Sequence, residues 1–119
     1  MQGNLFTIPI LVPGTLTADI AFRFQAPFGM TLAKVTAGCD NATSFILDIG
    51  VAGTISAYLA TVTVTGAAAT TTEYGRTDFV GDQYTRIEDG DEVVATIDYD
   101  GGAGTDGAGV SIVLWFYEG

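Results

Sequence analysis

The last stretch of the chain sets the kind of structure open to it. Val110, Ile112, Leu114 and Phe116 interleave with Ser111, Val113, Trp115 and Tyr117. A period of two belongs to a β-strand with two distinct faces. The same grammar recurs upstream. In residues 16–25, Ala18, Ile20, Phe22 and Phe24 share one face, while Asp19, Arg23 and Gln25 share the other. Residues 44–51 set Phe45, Leu47 and Ile49 against Ser44, Ile46 and Asp48, and Val93, Ala95 and Ile97 line one face of 93–98. Residues 30–39 read as a strand with Ala33, Val35, Ala37 and Cys39 inward. Leu32 has the opposite parity, which predicts a bulge or a late start. Residues 54–64 are rich in β-branched side chains, but apolar residues fall on both parities.

Pro13-Gly14, Ala26-Pro27-Phe28-Gly29, Ala52-Gly53 and Glu88-Asp89-Gly90-Asp91 punctuate these segments as turns. Residues 65–86 carry the poorest pattern. Ala67, Ala68 and Ala69 are followed by Thr70, Thr71 and Thr72, and the threonines lower the helical propensity of the alanines. This part reads as short strand pieces and exposed loop. Seven to nine short strands at spacings of about ten residues predict an all-β fold, an antiparallel β-sandwich or barrel. A length of 119 residues suits one domain. Residues 1–15 form an N-terminal edge strand or arm, because Pro9 cannot donate to a central ladder. Residues 16–119 form the sandwich.

Composition removes most catalytic chemistry. The chain has no His, one Cys and four basic residues. Without His the common base of a nucleophilic triad is missing, and zinc has no ligand set. Cys39 has no partner for an internal disulfide and reads as a buried, inert thiol. Lys34 would serve as a base only if buried, and its strand position suggests an exposed ammonium. The formal charge of −10 argues against nucleic acid and against anionic membranes as partners. The longest apolar runs are too short to span a bilayer, and Met1-Gln2-Gly3-Asn4 lacks the basic start of a secretory signal. The sequon Asn41-Ala42-Thr43 reads as a turn.

Three groups of residues are candidate sites. Asp98, Asp100 and Asp106, in the Gly-rich segment 98–109, offer hard oxygen ligands to calcium. The segment starts like an EF-hand loop, but Gly109 stands where a bidentate Glu belongs. Gly101 to Asp106 also fits the core of a calcium-binding β-roll repeat, present here in one copy. A hairpin tip explains the glycines equally. No cofactor is expected, with calcium as the alternative. Glu88, Asp89, Asp91 and Glu92 surround Gly90. They read as a solvated turn rather than as a glycosidase pair. Val113, Trp115 and Tyr117 face outward if Ile112, Leu114 and Phe116 face the core. Such a row is costly in water, so either a neighbouring subunit covers it or the irregular middle segment does. The same aromatics are candidates for a carbohydrate platform, although one Trp with aliphatic neighbours suits that role less well.

The run Ala21-Phe22-Arg23-Phe24-Gln25-Ala26-Pro27, followed by Leu32, Val35-Thr36-Ala37 and Phe45-Ile46-Leu47-Asp48-Ile49-Gly50, resembles small β-sandwich structural proteins of tailed bacteriophages. Gly53-Thr54-Ile55, the turn Asp89-Gly90-Asp91-Glu92-Val93 and the final strand extend the likeness over residues 20–117. The resemblance implies a jelly-roll-like domain in the virion, assembled in the host cytoplasm, as a capsid decoration or cement protein. A tail or receptor-recognition module that binds host glycans is the alternative. The end of the chain is also similar to trimeric C1q and tumour-necrosis-factor domains, which implies a homotrimer. On this reading the partners are the major capsid protein or other virion proteins and further copies of the chain. No enzymatic activity is implied. The expected contact residues are Leu5, Phe6, Ile8 and Ile10 on the N-terminal segment and Val113, Trp115 and Tyr117 on the last strand. The N-terminal segment grips a neighbour's edge in this reading, or pairs within its own sheet.

Overall fold

The computed structural model describes residues 4–66, 71–100 and 105–119. Ala67, Ala68, Ala69 and Thr70, together with residues 101–104 of the Gly-rich segment, lie outside the described residues. Among the described residues, ten strand pieces follow in chain order: β1 (Leu5–Thr15), β2 (Ile20–Gln25), β3 (Met30–Gly38), β4 (Thr43–Val51), β5 (Thr54–Thr65), β6 (Thr72–Tyr74), β7 (Thr85–Ile87), β8 (Glu92–Asp98), β9 (Thr105–Asp106) and β10 (Ala108–Glu118). Two single 3-10 turns, Arg76–Asp78 and Val80–Asp82, separate β6 from β7. Sheet A runs β1-β10-β3, with β6 and β7 both on the outer edge of β3; sheet B runs β2-β8-β4-β5, with β9 beside β4. Counting β6 and β7 as one interrupted position, these orders are 1-8-3-6 and 2-7-4-5 over eight positions. That is the double Greek key of a jelly roll. The short β6, β7 and β9 are why ten pieces appear where seven to nine strands are expected.

The period of two is realised as side-chain direction. Ile112, Leu114 and Phe116 of β10 are fully buried, as are Phe45, Leu47 and Ile49 of β4 and Ile97 of β8. These inner faces meet to form one core. An aromatic cluster closes it at one end. Phe6 stacks on Phe116 with centroids 5.4 Å apart, Phe28 meets Phe6 edge-on at 5.5 Å, and Phe24 meets Phe116 edge-on at 5.9 Å.

The expected bulge in residues 30–39 is real, and it corrects one assignment. Against β10, Trp115 faces Lys34 and Phe116 faces Leu32, so Ala33 has no opposite residue. Met30 and Leu32 point inward before the bulge, and Val35 and Ala37 after it. Ala33 turns outward rather than into the core. The mixed parity of β5 has the same cause. Leu47 faces Val62, Ile49 faces Leu59 and Val51 faces Thr54, so β5 carries extra residues against β4. Thr61 takes a positive φ of 47° at one of these irregularities. Its backbone N–H and hydroxyl both donate to Asp48 Oδ1, at 2.6 and 2.9 Å. Gly50 is required on β4, because a Cβ there would run into the backbone of Thr54 and Ile55.

Candidate functional site

The outward row of β10 becomes the floor of a cleft. Across sheet A, Leu5 faces Tyr117, Thr7 faces Trp115 and Pro9 faces Val113, while on the other side Lys34 faces Trp115 and Thr36 faces Val113. β6 continues this surface, with Glu73 opposite Thr36. Residues that directly oppose one another share a face. Leu5, Ala33, Lys34, Glu73, Gly75, Tyr84, Trp115 and Tyr117 line an open cleft of about 470 Å³. Trp115 and Tyr117 are half-buried in it, and Tyr84 stands at its margin with 48% of its surface exposed. The irregular middle segment therefore borders the outward aromatics and leaves a concave space there.

Two interactions orient the indole. The Lys34 ammonium lies 4.4 Å from the ring centroid of Trp115, a cation–π contact. The indole N–H points toward Thr36 Oγ1 at 3.5 Å. Lys34 is thus a half-buried surface cation held over an aromatic ring, not a buried base.

The second concavity lies on the side of the sandwich where β1 borders sheet A and β2 borders sheet B. Ile8, Pro9, Ile10, Phe22, Arg23, Phe24, Ala95 and Leu114 line a seam of about 180 Å³. Here the N-terminal candidates divide. β1 pairs with β10 along its length, so Phe6, Ile8 and Ile10 turn toward the sandwich. Phe6 is held by its two ring contacts, and Ile10 is buried. Leu5 and Leu11 turn outward, the latter 69% exposed.

The acidic candidates also regroup. Asp98 and Asp100 have carboxylate oxygens within 4.8 Å of one another and of Asp19, which precedes β2. Asp19, not Asp106, completes the trio, and it also accepts the Tyr99 backbone N–H at 3.3 Å. The surrounding carboxylates, Asp100 foremost, raise the pKa of the Tyr99 phenol. Around Gly90, with φ of 91°, Asp91 and Glu92 have partners. Asp91 Oδ2 accepts the Glu88 N–H at 3.2 Å, and Glu92 pairs with Arg23 at 3.0 Å. Cys39 is buried and its thiol donates to the Thr43 carbonyl at 3.3 Å. Glu73, Gly75 and Tyr84 escape sequence reasoning because they sit in the segment without periodicity. Phe22 and Phe24 were legible as inward residues, but nothing in the pattern shows that their side of the core is open.

No protein-family model matches the chain, and no curated protein sequence matches it. Two solved structures match the chain. One is a chain of the cyanophage Pam1 capsid asymmetric unit. It is 20% identical, with a TM-score of 0.58, and the match covers 98% of this chain and 86% of that one. The other is a family 35 carbohydrate-binding module from Clostridium thermocellum. It is 19% identical, with a TM-score of 0.47, over 97% of this chain and 92% of that one. At these identities the first likeness establishes the fold: an antiparallel β-sandwich of the kind found in a phage capsid.

Proposed function

We propose that this chain is a non-enzymatic structural protein of a phage virion. It decorates or cements the capsid through protein–protein contacts, with the major capsid protein as partner. The observation that carries the reading is the likeness, over nearly the whole chain, to a chain of a phage capsid asymmetric unit. The residue inventory agrees with it, since a chain without His and with a single buried thiol offers little to general base or nucleophilic chemistry. The apolar seam between β1 and β2 is the contact surface. Half-buried Phe22, Phe24 and Ile8 border it, and apolar surface that a monomer leaves open is the usual mark of a protein contact. The resemblance to C1q and tumour-necrosis-factor domains extends the proposal to a homotrimer, which the mass in solution tests.

The decisive experiment adds purified protein to capsid shells that lack it and measures bound copies by sedimentation and imaging. Saturable binding is expected. Arg23→Glu, at the exposed mouth of the seam, weakens it while melting stays near that of the native chain. Absence of binding by the native chain overturns the reading.

A further inference from the structure

We propose that the cleft on the outer face of sheet A is a saccharide site, with a neutral sugar ring packed against Trp115 and Tyr84 and its hydroxyls shared between Lys34 and Glu73. Its size suits a small ligand, since a volume of about 470 Å³ falls within the range of ordinary ligand pockets. Its floor is aromatic and its rim is polar. That mixture fits a molecule with C–H faces and a belt of hydroxyls better than it fits a lipid or a flat apolar surface. A purely apolar occupant would strip water from Lys34 and Glu73 without replacing it.

The charges narrow the class. The chain has four cationic side chains against a formal charge of −10. Arg23 pairs with Glu92, Arg86 lies 3.6 Å from Glu88, and Arg76 donates to the Asp82 carbonyl at 3.0 Å. Among the described residues, Lys34 forms no ion pair. It is the one cation in the cleft, and Glu73 balances it there. A phosphate or a polyanion needs several converging cations and meets a repulsive long-range field from this chain. A neutral polyol uses both groups at once. The ammonium donates to a hydroxyl oxygen, and the carboxylate accepts a hydroxyl proton.

The backbone makes the space. The bulge at Ala33 places two adjacent residues, Ala33 and Lys34, beside the cleft, as bulges do when they re-aim side chains. Ala33 and Gly75 keep its floor and wall low. The cation–π contact holds the indole in one orientation before any ligand arrives, which lowers the ordering cost of binding.

Trp115 is the only tryptophan in the chain, so its emission reports on the cleft alone. The test titrates the full chain with hexamers of β-1,4-glucose, α-1,4-glucose and N-acetylglucosamine, and separately with oligogalacturonate as an acidic probe. A saturable change in Trp115 emission with at least one neutral oligomer is expected. Tyr84→Ala, at an exposed position, weakens it about tenfold, Tyr84→Phe retains it, and Glu73→Gln weakens it. No change with any neutral oligomer at millimolar concentration overturns the proposal. So does a response confined to the acidic probe, or one that Tyr84→Ala leaves intact. Emission that responds only to capsid shells makes the cleft a protein contact and likewise overturns it. Capsid attachment is read separately, through the seam variant, so each proposal fails or stands alone.

Discussion

Asp48 holds the irregular register between β4 and β5, and its removal has a calculable cost. Its Oδ1 accepts two hydrogen bonds from Thr61, at 2.6 Å from the backbone N–H and 2.9 Å from the hydroxyl. Thr61 sits at φ 47°, where a β-branched residue is strained by about 1–2 kcal/mol. The carboxylate offsets that strain. Asp48→Ala deletes both bonds at once. A hydrogen bond to a charged group contributes about 1.5–3 kcal/mol. Thr61 is exposed, so water recovers part of the loss, and the pair together is worth about 1.5 kcal/mol. Unfolding entropy of about 2.1 cal/mol/K per residue over 119 residues amounts to about 0.25 kcal/mol/K. The melting temperature therefore falls by about 6 °C.

Circular-dichroism melts of the native chain, Asp48→Ala and a control measure this. Asp89→Ala is the control, since Asp89 is exposed and its side chain makes no hydrogen bond or ion pair among the described residues. It shifts melting by no more than about 2 °C. Thr61→Ala, made in both backgrounds, gives the coupling between the two side chains, expected at about 0.5–1 kcal/mol. A fall of less than about 2 °C for Asp48→Ala, or a coupling indistinguishable from zero, refutes the assignment of the bulge to this carboxylate.

Gly50→Ala drives a Cβ into the backbone of Thr54 and Ile55, which cannot rotate away, and costs about 2–3 kcal/mol in urea denaturation; an unchanged midpoint would mean that β5 does not cross so close. The Tyr58 phenol has its pKa raised above 10.0 by burial and then by Asp91, and Tyr74 by burial and then by Asp78. The native state thus keeps protons that the unfolded state loses above that pH, so stability holds up to about pH 10 and falls beyond it. Tyr58→Phe makes the fall shallower in melts across the alkaline range. Asp100→Asn relieves repulsion with Asp19 and Asp98 and stabilises by a few tenths of a kcal/mol at low salt, an effect that vanishes in molar salt. If calcium instead raises the melting point of the native chain and not of Asp100→Asn, the trio is a metal site.

The fold was legible where each residue kept to a period of two, and obscure where the backbone broke it. β10, β4 and β8 bury the residues their alternation names. β5 could not be read because its extra residues put both Tyr58 and Leu59 inside. Leu32 announced a bulge by its parity, but only the register identifies Ala33 as the unpaired residue. The outward aromatics of β10 were legible for the same reason as its core. Their surroundings were not, because Glu73 is brought there by β6 pairing with β3, across a long loop closure that leaves no local trace. Asp19 joins Asp98 and Asp100 in the same way, because β2 pairs with β8 and brings residue 19 beside residue 98.

β1 decides how the molecule can meet a neighbour. One of its edges is used by β10, and Pro9 within it has no N–H to offer any strand. In this chain the N-terminal segment pairs within its own sheet. On the proposed reading, contact through this side comes from side chains entering the apolar seam. The charge points the same way, because copies that each carry a formal −10 repel at long range and attach only where short-range burial prevails. Alternation along β1 then separates two surfaces. Ile8 and Ile10 look into the seam, while Leu5 looks onto the cleft beside Tyr117. A partner seated in the seam leaves Trp115 and Tyr84 open, so the proposed attachment and the proposed saccharide capture use different faces of one strand.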